Sequence, residues 1–477
     1  MTTLDYTGLT ADSRRVEPGF LFAALPGAAV DGRAFINDAV KRGAVAVLAE
    51  TGTVLDPPVA PARAVTLIED DNPRRRFAQM AARFHGPQPA TVTAVTGTNG
   101  KTSVCAFTRQ IWASLGHRAA SMGTLGVIAP DYEIPGGLTT PDPVVLHRTM
   151  ADLARRGVDH LAMEASSHGL HQYRLDGVRL AAAAFTNLTR DHLDYHGTLE
   201  AYLAAKLRLF TELLPAGCTA VINMDDPAAA TMVKACTDAG VRVMGYGIAA
   251  TEIRLVDVAL SPTGQDLTLE VLGRDCWVRL PLAGRFQAMN ALCALGLVLA
   301  SGGHRHSAVA ALRTLEGVPG RLQRVAERAN GAAVYVDYAH TPDALETVLT
   351  ALRPHAARRL SLVFGCGGDR DRGKRPQMGA IAARLADRTI VTDDNPRSEA
   401  PAAIRAEILA ACPGVREIGN REKAIFTAVG QLKAGDLLVV AGKGHERGQI
   451  IGATVLPFDD AEVARRAVSA HDGAPLP

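Results

Sequence analysis

Thr96-Gly97-Thr98-Asn99-Gly100-Lys101-Thr102-Ser103 decides the fold of this chain. The β-branched run Thr91-Val92-Thr93-Ala94-Val95 leads into it and a helical pattern leaves it, so the stretch reads as strand, glycine turn and helix start. Such a turn aims several backbone N–H groups at one point, with the positive end of the helix dipole behind them. Lys101 adds a fixed cation, and the Thr102 hydroxyl suits a Mg²⁺ carried by the same phosphates. The spacing departs from the usual phosphate loop. Counted back from Gly100, the place of the first glycine holds Val95, and the glycine present is Gly97. A bare strand-to-helix turn explains the glycines but not the Lys101-Thr102 pair after them. Residues 97–103 are therefore expected to bind ATP.

At 477 residues the chain is too long for one core and implies two to four domains. Hydrophobic content of 47% and charged content of 21% are those of a globular protein, and a net charge of +2 without a basic run argues against nucleic acid as partner. The seven cysteines (105, 218, 236, 276, 293, 366 and 412) form no C-x-x-C pair, which fits a reducing cytoplasm and argues against a zinc site. The N-terminus carries no signal-peptide pattern, and no stretch approaches the roughly 18 apolar residues of a membrane span. A cytoplasmic chain without membrane contact is expected.

Apolar runs at 20–24 and 44–48 with a helical pattern at 35–42 make a small α/β unit over residues 1–88. Gly86-Pro87-Gln88-Pro89 closes it as a stiff link, because prolines fix φ and lack a donor. Over 89–318, runs at 161–164, 181–185 and 219–223 alternate with helical patterns, as in a mostly parallel sheet. Residues 253–282 alternate like antiparallel strands and read as an edge addition, with a helix following at 286–299. Gly317-Val318-Pro319-Gly320 marks a second hinge. Beyond it, runs at 334–337, 360–364, 389–392 and 437–440 describe a second open α/β sheet over 319–477.

Three side chains stand out beyond the loop. Glu164 ends a strand and precedes Ala165-Ser166-Ser167-His168-Gly169; a carboxylate there can reach a metal or cap the next helix. His192 lies in the polar run 185–197, as a metal ligand or as a loop histidine. Lys206 lies on the flank of an apolar stripe formed by Leu199, Leu203, Leu207 and Phe210. Its amine either snorkels to water or is neutralised, since a bare charge there is costly. Carbamylation by CO₂ turns such an amine into an anionic group suited to Mg²⁺.

Gly97-Thr98-Asn99-Gly100-Lys101-Thr102, Glu164-Ala165-Ser166-Ser167-His168-Gly169, the run 187–197 and Lys206 together resemble the ATP-dependent Mur ligases of bacterial cell-wall synthesis. The resemblance runs from Asp12-Ser13-Arg14 to Glu446, almost the whole chain. It implies an α/β fold of three domains: a small N-terminal α/β domain (1–88) binding the UDP substrate, a central parallel-sheet ATPase domain (89–318) and a C-terminal Rossmann-like domain (319–477). It implies that Lys101, Glu164, His192 and Lys206 are catalytic. Lys206 is implied to be N6-carboxylysine, and its carbamate to hold Mg²⁺ with Thr102, Glu164 and His192. Asn290, Arg321, Asp337 and His340 are implied to contact ATP. Ser13, Thr139, Thr140, Ser166, Gln172 and Arg174 match the contacts to the UDP-muramoyl dipeptide. Leu138 stands where relatives often carry asparagine, and Ala28-Ala29-Val30 is less polar than the family pattern.

Asp394-Asn395-Pro396-Arg397 follows a strand, where a guanidinium can pair bidentately with a carboxylate; the plainer reading is a proline turn with a surface arginine. Meso-2,6-diaminopimelate has a second carboxylate that lysine lacks, and within the family this tetrapeptide resembles the diaminopimelate-adding type. Arg370, Gly442 and Glu446 match the remaining contacts, with Glu446 suited to the distal ammonium. The implied reaction is an ADP-forming ligation of diaminopimelate to UDP-N-acetylmuramoyl-L-alanyl-D-glutamate through an acyl phosphate. It serves peptidoglycan precursor synthesis, and with it cell shape and division, by a monomer whose partners are small molecules. The alternatives are a lysine-adding or dipeptide-adding sibling, a folylpolyglutamate synthetase, and an ATP-binding regulatory protein. Gly365-Cys366-Gly367-Gly368 does not form G-x-G-x-x-G, which argues against NAD.

Overall fold

A computed structural model describes residues 5–27, 30–55, 65–189, 191–261 and 264–473. Ala28 and Ala29, expected near the uridine end, and Arg190 of the polar run lie outside the described residues. The chain divides into two compact units, residues 1–250 with 293–308, and residues 251–292 with 309–477.

In the first unit the phosphate-loop strand Thr91–Thr96 lies inside a sheet, flanked in parallel by Ala182–Phe185 and His160–Glu164. Thr219–Asn223 and Arg242–Gly247 extend the parallel pairing on one side, and Ala119–Gly123 on the other. Two short antiparallel strands, Gly126–Ala129 and Tyr132–Pro135, finish that edge. Strands covered on both faces read as continuous apolar runs, and Ala182–Phe185 is buried at every position. The N-terminal part is a four-stranded parallel sheet of Gly8–Thr10, Phe20–Ala23, Ala46–Glu50 and Thr66–Asp70 with separate apolar clusters on its two faces. Its helix Pro73–His85 packs on Pro143–Arg155. The expected link at 86–89 is clamped: Gln88 donates to Gly177 O at 2.8 Å and accepts from Arg179 N at 3.0 Å.

The helix Leu199–Arg208 corrects the leucine stripe. Leu199 is exposed and Leu203 and Leu207 are half-buried, whereas Tyr202, Ala205 and Lys206 are buried. Two side chains set the roll of the helix. Arg208 turns inward to the Asp176 carboxylate at 2.6 and 2.7 Å, and the Tyr202 hydroxyl reaches Thr98 at 3.3 Å. Lys206 therefore sits within the buried face, not on its flank. A π-helical turn, Leu209–Leu213, follows directly.

In the second unit a sheet runs Gln323–Glu327, Ala333–Asp337, Leu437–Ala441, Leu360–Phe364, Arg388–Val391, Arg416–Glu417, parallel except at its first pair. Apolar clusters cover both faces, as in a doubly wound sheet. The antiparallel strands Ile253–Ser261, Gly264–Val271 and Asp275–Leu280 belong to this unit. Hydrogen bonds hold them: buried Gln265 donates to Leu282 O and Gly284 O, and His355 accepts from Gly284 N at 3.0 Å.

Candidate active site

The phosphate loop takes the shape its glycines permit. Gly97 has φ +148° and Gly100 φ +87°, and a Cβ on Gly97 would land on the Thr186 hydroxyl. Two of the expected phosphate-facing amides are spent elsewhere. Thr98 N donates to Asn187 O at 2.8 Å and Asn99 N to Asn187 Oδ1 at 2.9 Å, because the loop after Ala182–Phe185 clasps the turn. The amides of the first turn of Lys101–Ser114 have no carbonyl within their helix, as at any helix start, and lie directly after the turn. Lys101 Nζ folds over the loop, 2.9 Å from Gly97 O and 2.8 Å from Thr98 O.

Glu164 is buried at its strand end and meets the loop directly: Thr102 Oγ1 donates to its Oε1 at 3.0 Å. Thr124, which the sequence reading passed over, donates from N at 2.8 Å and from Oγ1 at 3.2 Å. Two hard oxygens converging beside a phosphate loop are a donor set that fits Mg²⁺. Gly123 makes room for them, since a Cβ there would fall on the Glu164 carboxylate. Gly123→Ala is expected to lower kcat by about 100-fold through misplacement of that carboxylate. An unchanged rate in a magnesium titration would show that Glu164 does not need its seat.

Lys206 is 1% exposed, its amine 4.0 Å from the centre of the Tyr202 ring. Burial, and secondarily the charge on Lys101, pulls its pKa down to about 6. His192 sits at φ +52° ahead of the short helix Leu193–His196, its ring 4.9 Å from His168 and 6.2 Å from Tyr202. Thr102 and Glu164 thus touch, while His192 and Lys206 both gather against Tyr202, whose hydroxyl reaches the loop at Thr98. His196, also missed, stacks 5.2 Å from Tyr202; burial and the neighbouring His168 hold its pKa down to about 4.

The expected muramoyl-peptide residues form one hydrogen-bonded path from Glu164. Thr139 and Thr124 hydroxyls meet at 3.0 Å, and Thr140 Oγ1 donates to Glu164 O at 3.0 Å while accepting from Ser166 N. Arg174 donates to Thr140 O at 2.6 Å and to Gln172 Oε1, and Gln172 donates to the Tyr195 hydroxyl. Gln172 and Arg174 end in the wall of a cavity of about 760 Å³, bounded also by Thr10, Asp12, Phe77 and Leu138. Ser13 is buried and does not line that cavity, whereas Asp12 and Arg15 on either side of it do.

In the second unit, four loops leave the C-terminal ends of adjacent parallel strands. Asn290 donates to Gln287 Oε1 at 3.0 Å, and Gln287 to Arg321 O at 3.1 Å, so Gln287 joins two expected ATP contacts. The Arg321 guanidinium lies 5.0 Å from the Tyr338 ring. Asp337 is tied into its own loops. Its two oxygens accept from Leu322 N and Ala339 N, and burial lifts its pKa to about 6. His340 Nδ1 donates to Tyr338 O at 2.8 Å, and burial keeps its ring below the ordinary histidine range.

Asn395 is the hub of the remaining three loops. It accepts from Lys443 Nζ and Ile450 N, both at 2.9 Å, and donates to Glu446 Oε2 at 2.9 Å. Buried Lys443 also donates to Glu446 at 3.1 Å, so the acid expected for the distal ammonium already has a cation beside it. Lys443 was legible only as the middle of Gly442-Lys443-Gly444. Arg397 stands at φ +50° and donates to Gly368 O at 2.7 Å, and Gly442 leaves room for the Asp394 carboxylate. Arg370 is exposed and bonds only to the Asp369 carbonyl among its described contacts.

Residues 5–85, 95–298 and 320–444 match the Mur ligase family catalytic domain, the Mur ligase middle domain and the Mur ligase glutamate ligase domain. The chain is 55% identical to the UDP-N-acetylmuramoyl-L-alanyl-D-glutamate–2,6-diaminopimelate ligase of Bradyrhizobium diazoefficiens, over 99% of this chain and 96% of that one. It is 55% identical to the ligase of the same name from Caulobacter vibrioides, over 98% and 96%. A solved structure of a ligase of that name superposes with a TM-score of 0.74 at 37% identity, over 98% and 95%. The MurF ligase of Thermotoga maritima, solved with ADP, shares the fold at a TM-score of 0.62 and 18% identity, over 99% of each chain. No helix among the described residues is long and apolar enough to cross a membrane.

Proposed function

This chain belongs to the Mur ligase family of ATP-dependent, ADP-forming amide ligases with their three-domain α/β architecture, and we propose that it joins meso-diaminopimelate to UDP-N-acetylmuramoyl-L-alanyl-D-glutamate in peptidoglycan synthesis. The observation that carries the choice of amino acid is that Arg397, fixed on Gly368 O, and Glu446, bonded to Asn395, stand on loops that leave strand ends of one sheet. A fixed guanidinium and a carboxylate at one place suit a zwitterionic side-chain end. Residues 1–88, 89–318 and 319–477 are proposed as the three domains.

In this reading the D-glutamyl carboxylate attacks the γ-phosphorus of ATP, the bond to ADP breaks, and an acyl phosphate forms. The neutral amine of diaminopimelate then attacks the carbonyl carbon, phosphate departs, and the amine releases its proton. Lys101 and the first-turn amides face the charge that develops on the transferred group. Thr102 and Glu164 would hold Mg²⁺, with His192 and a carbamate on Lys206; the ion supplies charge neutralisation. No protein nucleophile is needed, so positioning and electrostatics provide the acceleration. Incubation with ATP, the UDP-muramoyl dipeptide and either diaminopimelate or lysine, followed by product mass, tests the assignment. The diaminopimelate adduct is expected, and a lysine adduct alone would reverse it.

The carbamate has a pH signature. CO₂ adds only to a neutral amine, and Lys206 is neutral above about pH 6, whereas an ordinary lysine at 10.5 is protonated. At fixed dissolved CO₂, recovery of activity after decarbamylation is expected to quicken as pH rises through about 6 and to level off above it. A rate still climbing at pH 9 would mean that the amine titrates normally.

A further inference from the structure

Two histidines and an aspartate gather at the entry to two neighbouring central strands and take no part in the chemistry above. His117 follows the helix Lys101–Ser114 and precedes the strand Ala119–Gly123; Asp159 and His160 open the paired parallel strand His160–Glu164. The phosphate loop and Glu164 stand at the opposite, C-terminal ends of this sheet. Backbone bonds fix all three positions: His117 N to Trp112 O at 3.0 Å, Asp159 N to Arg118 O at 3.0 Å, Thr91 N to Asp159 O at 2.9 Å, and His160 N to Arg118 O at 3.5 Å. The imidazole rings are 3.9 Å apart, and the Trp112 ring packs edge-on against His160 at 4.9 Å. The Asp159 carboxylate is shared between them, Oδ1 lying 2.9 Å from His160 Nδ1 and Oδ2 3.8 Å from His117 Nδ1. One donor atom from each residue lies within 4.8 Å of the others, the one such group of histidine, cysteine or carboxylate donors among the described residues.

We propose that His117, Asp159 and His160 form a site for a divalent transition ion of the zinc class, remote from the phosphate loop. An ion bonded at about 2.0–2.2 Å by nitrogen and oxygen needs donors roughly 3–4 Å apart; the separations of 2.9 and 3.8 Å from the two Asp159 oxygens lie close to that, and the ion would take the place of the proton in the Asp159–His160 hydrogen bond. Two imidazoles and one carboxylate favour Zn²⁺, Ni²⁺ or Cu²⁺ over the oxygen-seeking Mg²⁺ and Ca²⁺. Asp159 and His117 are partly exposed, which leaves open coordination positions to water. Bound there, the ion ties the two strand-entry loops together. The scattered cysteines argue against a thiolate zinc site and do not bear on an imidazole one.

The test is a Co²⁺ titration of the full chain after EDTA stripping, without ATP. One Co²⁺ with the visible absorption of nitrogen ligation is expected, displaced by Zn²⁺, with Zn²⁺ raising the thermal midpoint. His117→Ala and Asp159→Asn are each expected to weaken Co²⁺ binding by roughly tenfold or more and to abolish the zinc-induced rise. Their midpoints in EDTA should match the wild type, because both side chains reach solvent. An absorption equal in the wild type and both variants would assign the ion to other imidazoles and overturn the proposal, as would no absorption in the wild type.

Discussion

Lys206→Ala is expected to reduce ligation by about 1,000-fold or more, the scale of removing a preorganised electrostatic group from a transition state. Lysine at a buried face is an unfavourable choice for packing. Depression of its pKa from 10.5 to about 6 corresponds to roughly 6 kcal/mol against the charged form. Alanine removes that penalty, so the variant is expected to be at least as stable as the wild type. Activity lost while stability holds or rises is the pattern of a functional group, and a snorkelling lysine would give the reverse. The same linkage has a definite sign. The folded amine releases its proton near pH 6 and the unfolded one near 10.5, so the unmodified wild type gains stability as pH rises between them and the variant does not. A short carboxylate such as acetate, standing in for the carbamate, is expected to restore part of the rate. Full activity in the variant, or a loss that merely tracks unfolding, would remove the carbamate from the account.

The sequence made the sheets legible because their strands are covered on both faces. Thr219–Asn223 and Leu360–Phe364 stand where the apolar runs put them, bounded by turn residues that periodicity arguments use well. The phosphate loop was legible for a similar reason: its two glycines and Lys101-Thr102 are local features. What escaped depends on contacts between segments distant in sequence. The roll of the helix Leu199–Arg208 is set by Asp176 and Thr98, so a leucine count placed Lys206 on the wrong part of its face. Thr124 holds Glu164 across 40 residues, and Asn187, 88 positions beyond Asn99, takes up two loop amides from the loop of the neighbouring strand. Lys443 lay inside a motif already noticed, but only the fold reveals that it braces both Asn395 and Glu446. Side chains that hold other side chains carry no periodic signal.

Arg397→Ala is expected to raise KM for diaminopimelate by about 100-fold, roughly 3 kcal/mol, within the range for truncating one partner of a desolvated charge pair. The backbone argues that this side chain is aimed. Arg397 sits in the left-handed region, costly for a residue with a Cβ, and is held there from both sides. Its N donates to Ile450 O at 3.1 Å and its O accepts from Gly452 N at 2.7 Å, so the hairpin Gly448–Ile451 with Thr454–Pro457 straps it in place. One of its five N–H donors is used on Gly368 O, which orients the fork without exhausting it. If the role were structural alone, the variant would lose turnover with diaminopimelate and lysine equally, and KM for ATP would move with it. If the guanidinium reads a carboxylate, the loss falls on diaminopimelate and spares lysine. The ratio of kcat/KM between the two amino acids then drops by about the same 100-fold, with KM for ATP within about twofold. Arg397→Lys separates the parts of that effect: it keeps the charge and loses the fork, so an intermediate ratio is expected. A ratio that stays at the wild-type value in both variants would move the selection of the amino acid to other residues, with Glu446 and Lys443 next in line.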